Sequence, residues 1–335
     1  MPFYGAEYNL SNSPTPCCHL PKNADIIKIR AEMLDGQRPL ECKKCWDLED
    51  ENITSDRQLK NSAFDFYIDK DIKIIEDECR KGIHSTQIIK LYTSNLCNSA
   101  CVTCGPSASS KWQSLKNIKI NKEEIPSSIL DTIEWKNVKM LTFVGGEPLH
   151  EKKNLEILEN LAIIGNTDCF ISLVTNGSVY LTEKQQKLFK TFKNLNICIS
   201  IDGTGKQFEY IRYPLKWDAL LKNLQQYKDI GAILSVSFTV SNLNILYYHD
   251  IVSWFNEQKL HYNHGIVTFP KQFNIEVLPS HIKKNLPLIK YPDTFDSLLF
   301  SEFVNSINEQ DKLKNIDIKD YLPELWEIID NFRKN

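Results

Sequence analysis

From residue 88 onward, short apolar runs alternate with stretches in which apolar residues recur at every third or fourth position. The runs are typical of β-strands and the periodic stretches of α-helices. Strands that alternate with helices predict a parallel sheet with crossover helices. The six strand candidates are residues 88–95, 139–145, 169–176, 196–202, 233–241 and 262–269.

Two of these strand candidates alternate between apolar and polar residues, whereas a strand buried on both faces is apolar throughout. In the fourth candidate, Cys198, Ser200 and Asp202 share one face and isoleucines occupy the other. In residues 234–241, four hydroxyl residues share one face. Within helix-covered strands this pattern predicts a polar lumen, and therefore a binding cavity. The alternative, an antiparallel sheet facing water, is disfavoured by the intervening helices.

Composition limits the class of protein. The 335 residues, 42% of them hydrophobic and 25% charged, are typical of a globular chain with one large domain and a smaller one. A net charge of -3 without a long basic run argues against nucleic acid as the main partner. No stretch approaches the ~20 apolar residues of a membrane span. The first residues lack the features of a secretory signal, so we expect a cytoplasmic protein whose cysteines are metal ligands or buried thiols.

Three cysteines follow the first strand candidate with three and two intervening residues: Cys97, Cys101 and Cys104. A loop of this length can bring three thiolates to one metal ion or small cluster, and thiolates select zinc or iron-sulfur clusters. A four-iron cluster held by only three cysteines keeps one iron open for another ligand. The spacing alone leaves open a structural zinc site whose fourth ligand comes from elsewhere.

Four more cysteines near the start of the chain predict a second metal site. Cys42 and Cys45 form a Cys-x-x-Cys pair, which is a strong ligand signal. Cys17 and Cys18 are a weaker signal, because neighbours in an extended chain point to opposite sides. From these residues alone, a zinc knuckle and an iron-sulfur cluster are about equally favoured.

The second strand candidate ends in Gly145-Gly146-Glu147-Pro148. Glycines let the backbone approach a ligand closely, and a carbonyl or carboxylate at a strand end can hold an ammonium group. With the three-cysteine loop before it, this segment resembles the radical S-adenosylmethionine (SAM) superfamily. The resemblance implies an α/β fold, with a partial (βα)6 TIM-like barrel in residues 81–275, a small N-terminal cysteine-rich metal-binding module in residues 1–80 and a C-terminal helical extension in residues 276–335.

The resemblance also implies the cofactor and its ligands. Cys97, Cys101 and Cys104 would hold a 4Fe-4S cluster whose open iron binds the amine and carboxylate of SAM. The methionine ammonium of SAM would contact Gly145, Gly146 and Glu147, with Pro148 fixing the turn.

Further along the chain, the strand end Ser200-Ile201-Asp202-Gly203 and the later Arg212 match superfamily positions. The resemblance implies that Ser200 binds the ribose hydroxyls and that Arg212 binds the SAM carboxylate, although an ordinary surface arginine is the alternative. Asn176, in an Asn-Gly turn, is a further ligand candidate or a plain turn former.

The first 80 residues are similar to the auxiliary-cluster module called a twitch, a shortened SPASM domain. That similarity implies an auxiliary iron-sulfur cluster with ligands among Cys17, Cys18, Cys42 and Cys45.

The resemblance implies reductive cleavage of SAM to a 5'-deoxyadenosyl radical that abstracts a hydrogen atom from a substrate. The electron would come from a donor such as flavodoxin or ferredoxin. A peptide or protein is the predicted substrate, because twitch and SPASM relatives often modify peptides. Radical modification of a small molecule or nucleoside is one alternative, and a non-enzymatic zinc-binding interaction scaffold is another.

The sixth strand candidate supplies two possible catalytic residues. Its alternation places Tyr262, His264 and Thr268 on one face. If that face lines the lumen, Tyr262 or His264 can orient the substrate or carry a proton at neutral pH. A structural histidine is the alternative.

Overall fold

A computed structural model describes residues 5–8, 15, 17, 20–21, 24–55, 57–58, 61–62, 72–82, 86–288 and 291–334. The strands are β1 Gly5–Tyr8, β2 Ile88–Tyr92, β3 Met140–Val144, β4 Phe170–Thr175, β5 Asn194–Ser200, β6 Ile233–Val240 and β7 His261–Ile266. The α-helices include α1 Ile26–Leu34, α2 Lys43–Asp50, α3 Ile72–Arg80, α4 Ser110–Leu115, α5 Ser127–Leu130, α6 Lys152–Ile163, α7 Glu183–Phe189, α8 Gly205–Ile211, α9 Trp217–Asp229, α10 Tyr248–Glu257, α11 Ser280–Lys283, α12 Ser297–Lys314 and α13 Pro323–Lys334.

The predicted α/β class with a parallel sheet is confirmed. The strands form a seven-stranded sheet in the order β1 to β7, and the registers between strands are parallel. Each of the six strand candidates corresponds to a strand, although β5 begins two residues earlier than predicted and β7 ends three residues earlier. Among the described residues, no helix is long and apolar enough to cross a membrane.

Strand β1 was not predicted from the sequence. It pairs with β2 in parallel register, from Gly5 opposite Ile88 to Tyr8 opposite Leu91. Its four residues are too few to show either a strand or a helix period, which explains why the pattern gave no signal. Residues 5–8 therefore extend the sheet, although they lie in the range predicted as an auxiliary module.

The chain divides into two compact units. The first contains Met1–Ser94, Glu123–Leu173 and Lys187–Leu195, and the second contains Asn95–Lys122, Val174–Gln186 and Asn196–Asn335. In the first unit, the core on one face of the sheet consists of two rows of apolar residues that neighbour one another across β2, β3 and β4. None of these residues is more than 1% exposed: Ile89, Leu141 and Ile171 in one row, and Leu91, Phe143 and Leu173 in the other.

In the second unit, β5, β6 and β7 have two chemically different faces. The apolar face is covered by α10, since the Phe238 ring lies 5.8 Å from that of Tyr248 and 5.6 Å from that of Phe255. The opposite face, which we call the polar face, is partly exposed on β5 and β6. The parallel register places these residues on the polar face: Cys198, Ser200, Ser235, Ser237, Thr239, His261 and Asn263.

The last long helix of the second unit is α12. The Asp296 carboxylate accepts a hydrogen bond from the Leu299 N–H at 2.9 Å and so caps its N-terminus. At the other end, Asn315 adopts a left-handed conformation with φ 53°, which terminates the helix. Its buried side carries Phe300, Phe303, Val304, Ile307, Gln310 and Lys314.

Packing on the apolar face predicts a difference between two positions of the same strand. Phe238 is 1% exposed, whereas Ile233 is 53% exposed. We expect Phe238→Ala to lower the free energy of unfolding by about 3–5 kcal/mol, because it removes buried contacts and leaves a cavity. Urea unfolding of the apo chain measures this loss. Ile233→Ala is the matched control, and an equal loss in both variants would contradict the assignment of the core.

Candidate functional site

The backbone of the three-cysteine loop is anchored to the segment that follows α8. Ala100 donates its N–H to the Tyr213 carbonyl at 2.6 Å, and Val102 donates to the Ile211 carbonyl at 2.8 Å. Backbone groups are obligatory hydrogen-bonding groups, so these bonds fix the loop relative to a distant part of the sequence.

The start of α4 anchors the other side of the same loop. Ser109 caps the helix by accepting the Trp112 N–H at 3.3 Å, and its hydroxyl donates to the Ser99 carbonyl at 2.6 Å. The Trp112 indole donates to the Cys101 carbonyl at 2.9 Å. The positions of the cysteines are therefore determined by the folded chain itself.

The thiols of the loop lie close to one another. The Ser99 hydroxyl lies between two of them, 3.2 Å from Cys97 Sγ and 3.5 Å from Cys101 Sγ. Burial, and then the neighbouring Cys101, raise the pKa of the Cys104 thiol to about 12. A thiolate at this position therefore needs positive charge close by, as a bound metal provides.

These residues fit an iron-sulfur cluster by their donor chemistry, because each iron takes one thiolate and three thiols come from one short loop. Within the described ranges, no three His, Cys, Asp or Glu side chains converge on a point where they could hold a single metal ion.

Asn176 lies against the three-cysteine loop. Its Nδ2 donates to Asn98 Oδ1 at 2.8 Å and lies 4.0 Å from Cys97 Sγ. The following Gly177 has φ +74°, and a Cβ there would lie 2.4 Å from Leu220 Cδ1, so only glycine fits this turn. The turn thus serves to place the Asn176 amide beside the cysteines.

Arg212 also lies beside the loop. Its Nη2 forms an ion pair with Asp202 Oδ2 at 2.7 Å, and its Nη1 lies 3.9 Å from Cys101 Sγ. Burial opposes protonation, but Asp202 and Cys101 outweigh it and raise the pKa of Arg212. The buried Nε of Arg212 has no hydrogen-bond partner among the described residues. The guanidinium is therefore a cation held in place beside the cysteines.

Ser200 lies at the end of β5 on the polar face, and its register partner is Ser237. The prediction that the alternating strands share a polar side is confirmed, because the hydroxyl residues of β6 align with the polar positions of β5.

The Gly145–Pro148 turn belongs to the first unit. Gly145 has φ +109°, and a Cβ there would lie 2.9 Å from the Ser94 carbonyl oxygen. The Gly146 N–H donates to the same carbonyl at 2.9 Å. A side chain at position 145 is therefore excluded by both backbone conformation and space.

The rest of this turn is buried and held by hydrogen bonds. Glu147 is 1% exposed, and its carboxylate accepts the Leu149 N–H at 3.1 Å. The Pro148 carbonyl accepts a hydrogen bond from the Asn154 amide at 2.9 Å. The carboxylate is therefore held in one position at the end of β3.

Tyr262 and His264 lie on the apolar face of β7, where their register partners on β6 are apolar residues. The Tyr262 ring lies 5.3 Å from that of Phe255, and His264 Nδ1 lies 3.4 Å from the Tyr248 hydroxyl. Both partners belong to α10, so Tyr262 and His264 lie on the side of β7 that packs against this helix. The register with β6 decides the face, and neither residue receives a catalytic role here.

The N-terminal cysteines are only partly described. Cys42 directly precedes α2 and Cys45 lies in the first turn of this helix. Burial and then the neighbouring Cys45 raise the pKa of Cys42. Cys17 is partly exposed, and Cys18 lies outside the described residues.

Several residues that shape this site were missed by the sequence argument. Asp202 could have been found from the sequence, because it lies at the polar end of the fourth strand candidate, but it was given no role. Trp112, Gln310 and Lys314 carried none, since nothing in their spacing connects them with the cysteines.

The family model of the radical SAM superfamily matches residues 91–253. That range includes all three loop cysteines, the Gly145–Pro148 turn and Arg212. The match covers just under half of the chain, and within this range the sequence is similar to the radical SAM superfamily. No curated protein matches this sequence.

Two solved structures are partly similar to this chain. The structure of anSMEcpe with bound AdoMet and the Kp18Cys peptide is 17% identical, with 68% of this chain and 61% of that chain covered and a TM-score of 0.43. Streptococcus suis SuiB bound to S-adenosylmethionine is 14% identical, with 85% of this chain and 58% of that chain covered and a TM-score of 0.44. This chain thus spans less than two thirds of the length of either structure.

The Arg212–Asp202 pair yields a stability prediction. We expect Asp202→Asn to lower the free energy of unfolding of the apo chain by about 3–5 kcal/mol, because it leaves a buried guanidinium without its counter-ion. The amide of asparagine still offers an oxygen to the Thr239 N–H, which Asp202 accepts at 2.8 Å. Denaturant unfolding measures the change.

Glu309→Gln is the matched control. It removes an ion pair with Lys116 in which the two side chains are 61% and 35% exposed. An exposed pair contributes about 0–1 kcal/mol, so a comparable loss in the two variants would show that Arg212 does not depend on Asp202.

Proposed function

We propose that this protein is a radical SAM enzyme that acts on a peptide or protein. The observation that carries the proposal is the family match over residues 91–253 together with the anchored three-cysteine loop inside it. When bound, a 4Fe-4S cluster would supply an open iron for SAM. With one electron from a donor such as flavodoxin or ferredoxin, it would supply the reductive cleavage of SAM to a 5'-deoxyadenosyl radical that abstracts a hydrogen atom from the substrate.

In this proposal Cys97, Cys101 and Cys104 hold the cluster. Asn176 keeps the loop in place, because its amide donates to Asn98 at 2.8 Å within that loop. Arg212 binds the SAM carboxylate, while Asp202 holds the guanidinium in position.

Ser200 keeps the ribose-binding role that the resemblance implies. The turn of Gly145, Gly146, Glu147 and Pro148 keeps the ammonium-binding role, which the buried carboxylate of Glu147 supports chemically. The same proposal includes a partial barrel and a division of the chain into residues 1–80, 81–275 and 276–335. It also includes a cytoplasmic location.

The polar face of β5–β7 favours a peptide substrate over a nucleotide. Its side chains are hydroxyls, a thiol, an amide and an imidazole, and no Lys or Arg occurs in these three strands. Phosphate groups are bound by cations and helix N-termini, whereas amide and hydroxyl groups of a peptide need only neutral donors and acceptors.

We also propose that Cys42 and Cys45, with Cys17 and Cys18, hold an auxiliary iron-sulfur cluster. The observation in support is that Cys42 and Cys45 are close enough for one thiol to raise the pKa of the other.

Changing Cys97, Cys101 and Cys104 together to alanine tests the main site. We expect loss of about four irons per chain and of all 5'-deoxyadenosine formation after anaerobic reconstitution, because one cluster loses its three ligands. Iron, sulfide and product analysis measure both. Cys169→Ala is the control, since this cysteine is buried and lies outside the loop. Retained SAM cleavage in the triple variant would refute the assignment.

Changing Cys42 and Cys45 together to alanine tests the auxiliary site. We expect lower iron content, retained SAM cleavage and no modified peptide, since the loop cysteines are untouched. Metal analysis and a substrate-free assay for 5'-deoxyadenosine separate these effects. Loss of zinc instead of iron would show that the site is a structural knuckle.

A further inference from the structure

A buried lysine lies behind the three-cysteine loop. Lys314, the last residue of α12, is 4% exposed. Its Nζ donates to Gln310 Oε1 at 2.9 Å and lies 4.8 Å from the centroid of the Trp112 ring. A buried ammonium is costly unless it is compensated, and both of these partners are neutral.

Both neutral partners of Lys314 hold the loop directly. Gln310 Nε2 donates to the Val102 carbonyl at 3.0 Å, and Trp112 Nε1 donates to the Cys101 carbonyl at 2.9 Å. Gln310 thus connects Lys314 with the Val102 carbonyl, and Trp112 connects it with the Cys101 carbonyl.

No carboxylate in the described part of the chain pairs with this ammonium. The neighbouring Asp311 accepts hydrogen bonds from the Tyr210 hydroxyl at 2.8 Å and the Ile318 N–H at 2.9 Å. Burial lowers the pKa of Lys314 to about 8. The negative charge of Cys101, and then that of Asp311, oppose this lowering.

Two other cations near the loop are paired with carboxylates. Arg212 is paired with Asp202 at 2.7 Å, and Lys116, which lies 5.9 Å from the Trp112 ring, is paired with Glu309 at 3.0 Å. Lys314 forms no ion pair with a described carboxylate, although Asp311 is close enough to raise its pKa, and its ammonium places a positive charge close enough to Cys101 for the two to interact.

We propose that Lys314 is a positioning residue that raises the reduction potential of the cluster held by Cys97, Cys101 and Cys104. Reduction adds a negative charge to a cluster with three thiolate ligands, and a cation fixed in a buried environment stabilises the reduced form over the oxidised one. The inference rests on the proposed function, because it requires a cluster in this loop.

The test is an EPR-monitored redox titration of the reconstituted full-length protein without substrate. We expect Lys314→Met to shift the midpoint potential of the loop cluster to a more negative value and Lys314→Arg to restore it. Lys312→Met is the matched control, since it removes the same charge from an exposed position of the same helix. A role confined to stability would change the unfolding midpoint of the apo chain but not the potential.

An unchanged potential in Lys314→Met would overturn the inference while leaving the proposed function intact. If that variant does not fold, Lys314→Gln, which keeps a donor for Gln310, makes the same comparison without the charge. Absence of a 4Fe-4S signal from the loop in the unmodified protein would overturn the proposed function and this inference together.

Discussion

The whole site depends on hydrogen bonds that satisfy the backbone of one short loop. Its N–H groups at Ala100 and Val102 and its carbonyls at Ser99, Cys101 and Val102 are bonded by parts of the chain that are distant in sequence. A loop without regular structure would otherwise leave these groups unpaired or sample many conformations. The anchored backbone lets three thiols remain close together even though each of them loses hydration on burial.

Two cationic side chains near this loop are also held by fixed partners. The guanidinium of Arg212 is held by a carboxylate, and the ammonium of Lys314 by a neutral amide and an aromatic ring. Paired and unpaired cations affect a neighbouring group differently, because a paired cation contributes little net charge. The polar face of β5–β7 is different again, since its neutral side chains can contact a substrate without strong electrostatic selection.

The sequence predicted the sheet better than the site. Strands were recognisable because their buried residues form short apolar runs in the sequence. Residues of three such runs, Ile89, Leu141 and Ile171, are neighbours in the sheet. The cysteine loop and the Gly145–Pro148 turn were recognisable because their residue types are unusual and closely spaced. For Tyr262 and His264, alternation showed that the two residues share a face but not which face the helices cover. Gln310 and Lys314 could not be found, because their role comes from packing across more than half of the chain.

The bond between Gln310 and Val102 has a consequence for biosynthesis. The two residues are 208 positions apart, so the ribosome must add all of the intervening residues after Val102 before this contact can form. Domains generally fold as units during and after synthesis, and a contact this distant forms late. The thiols of the loop are thus synthesised long before the helix residue that holds the Val102 carbonyl, so the loop backbone reaches its final set of hydrogen bonds only after Gln310 has been made.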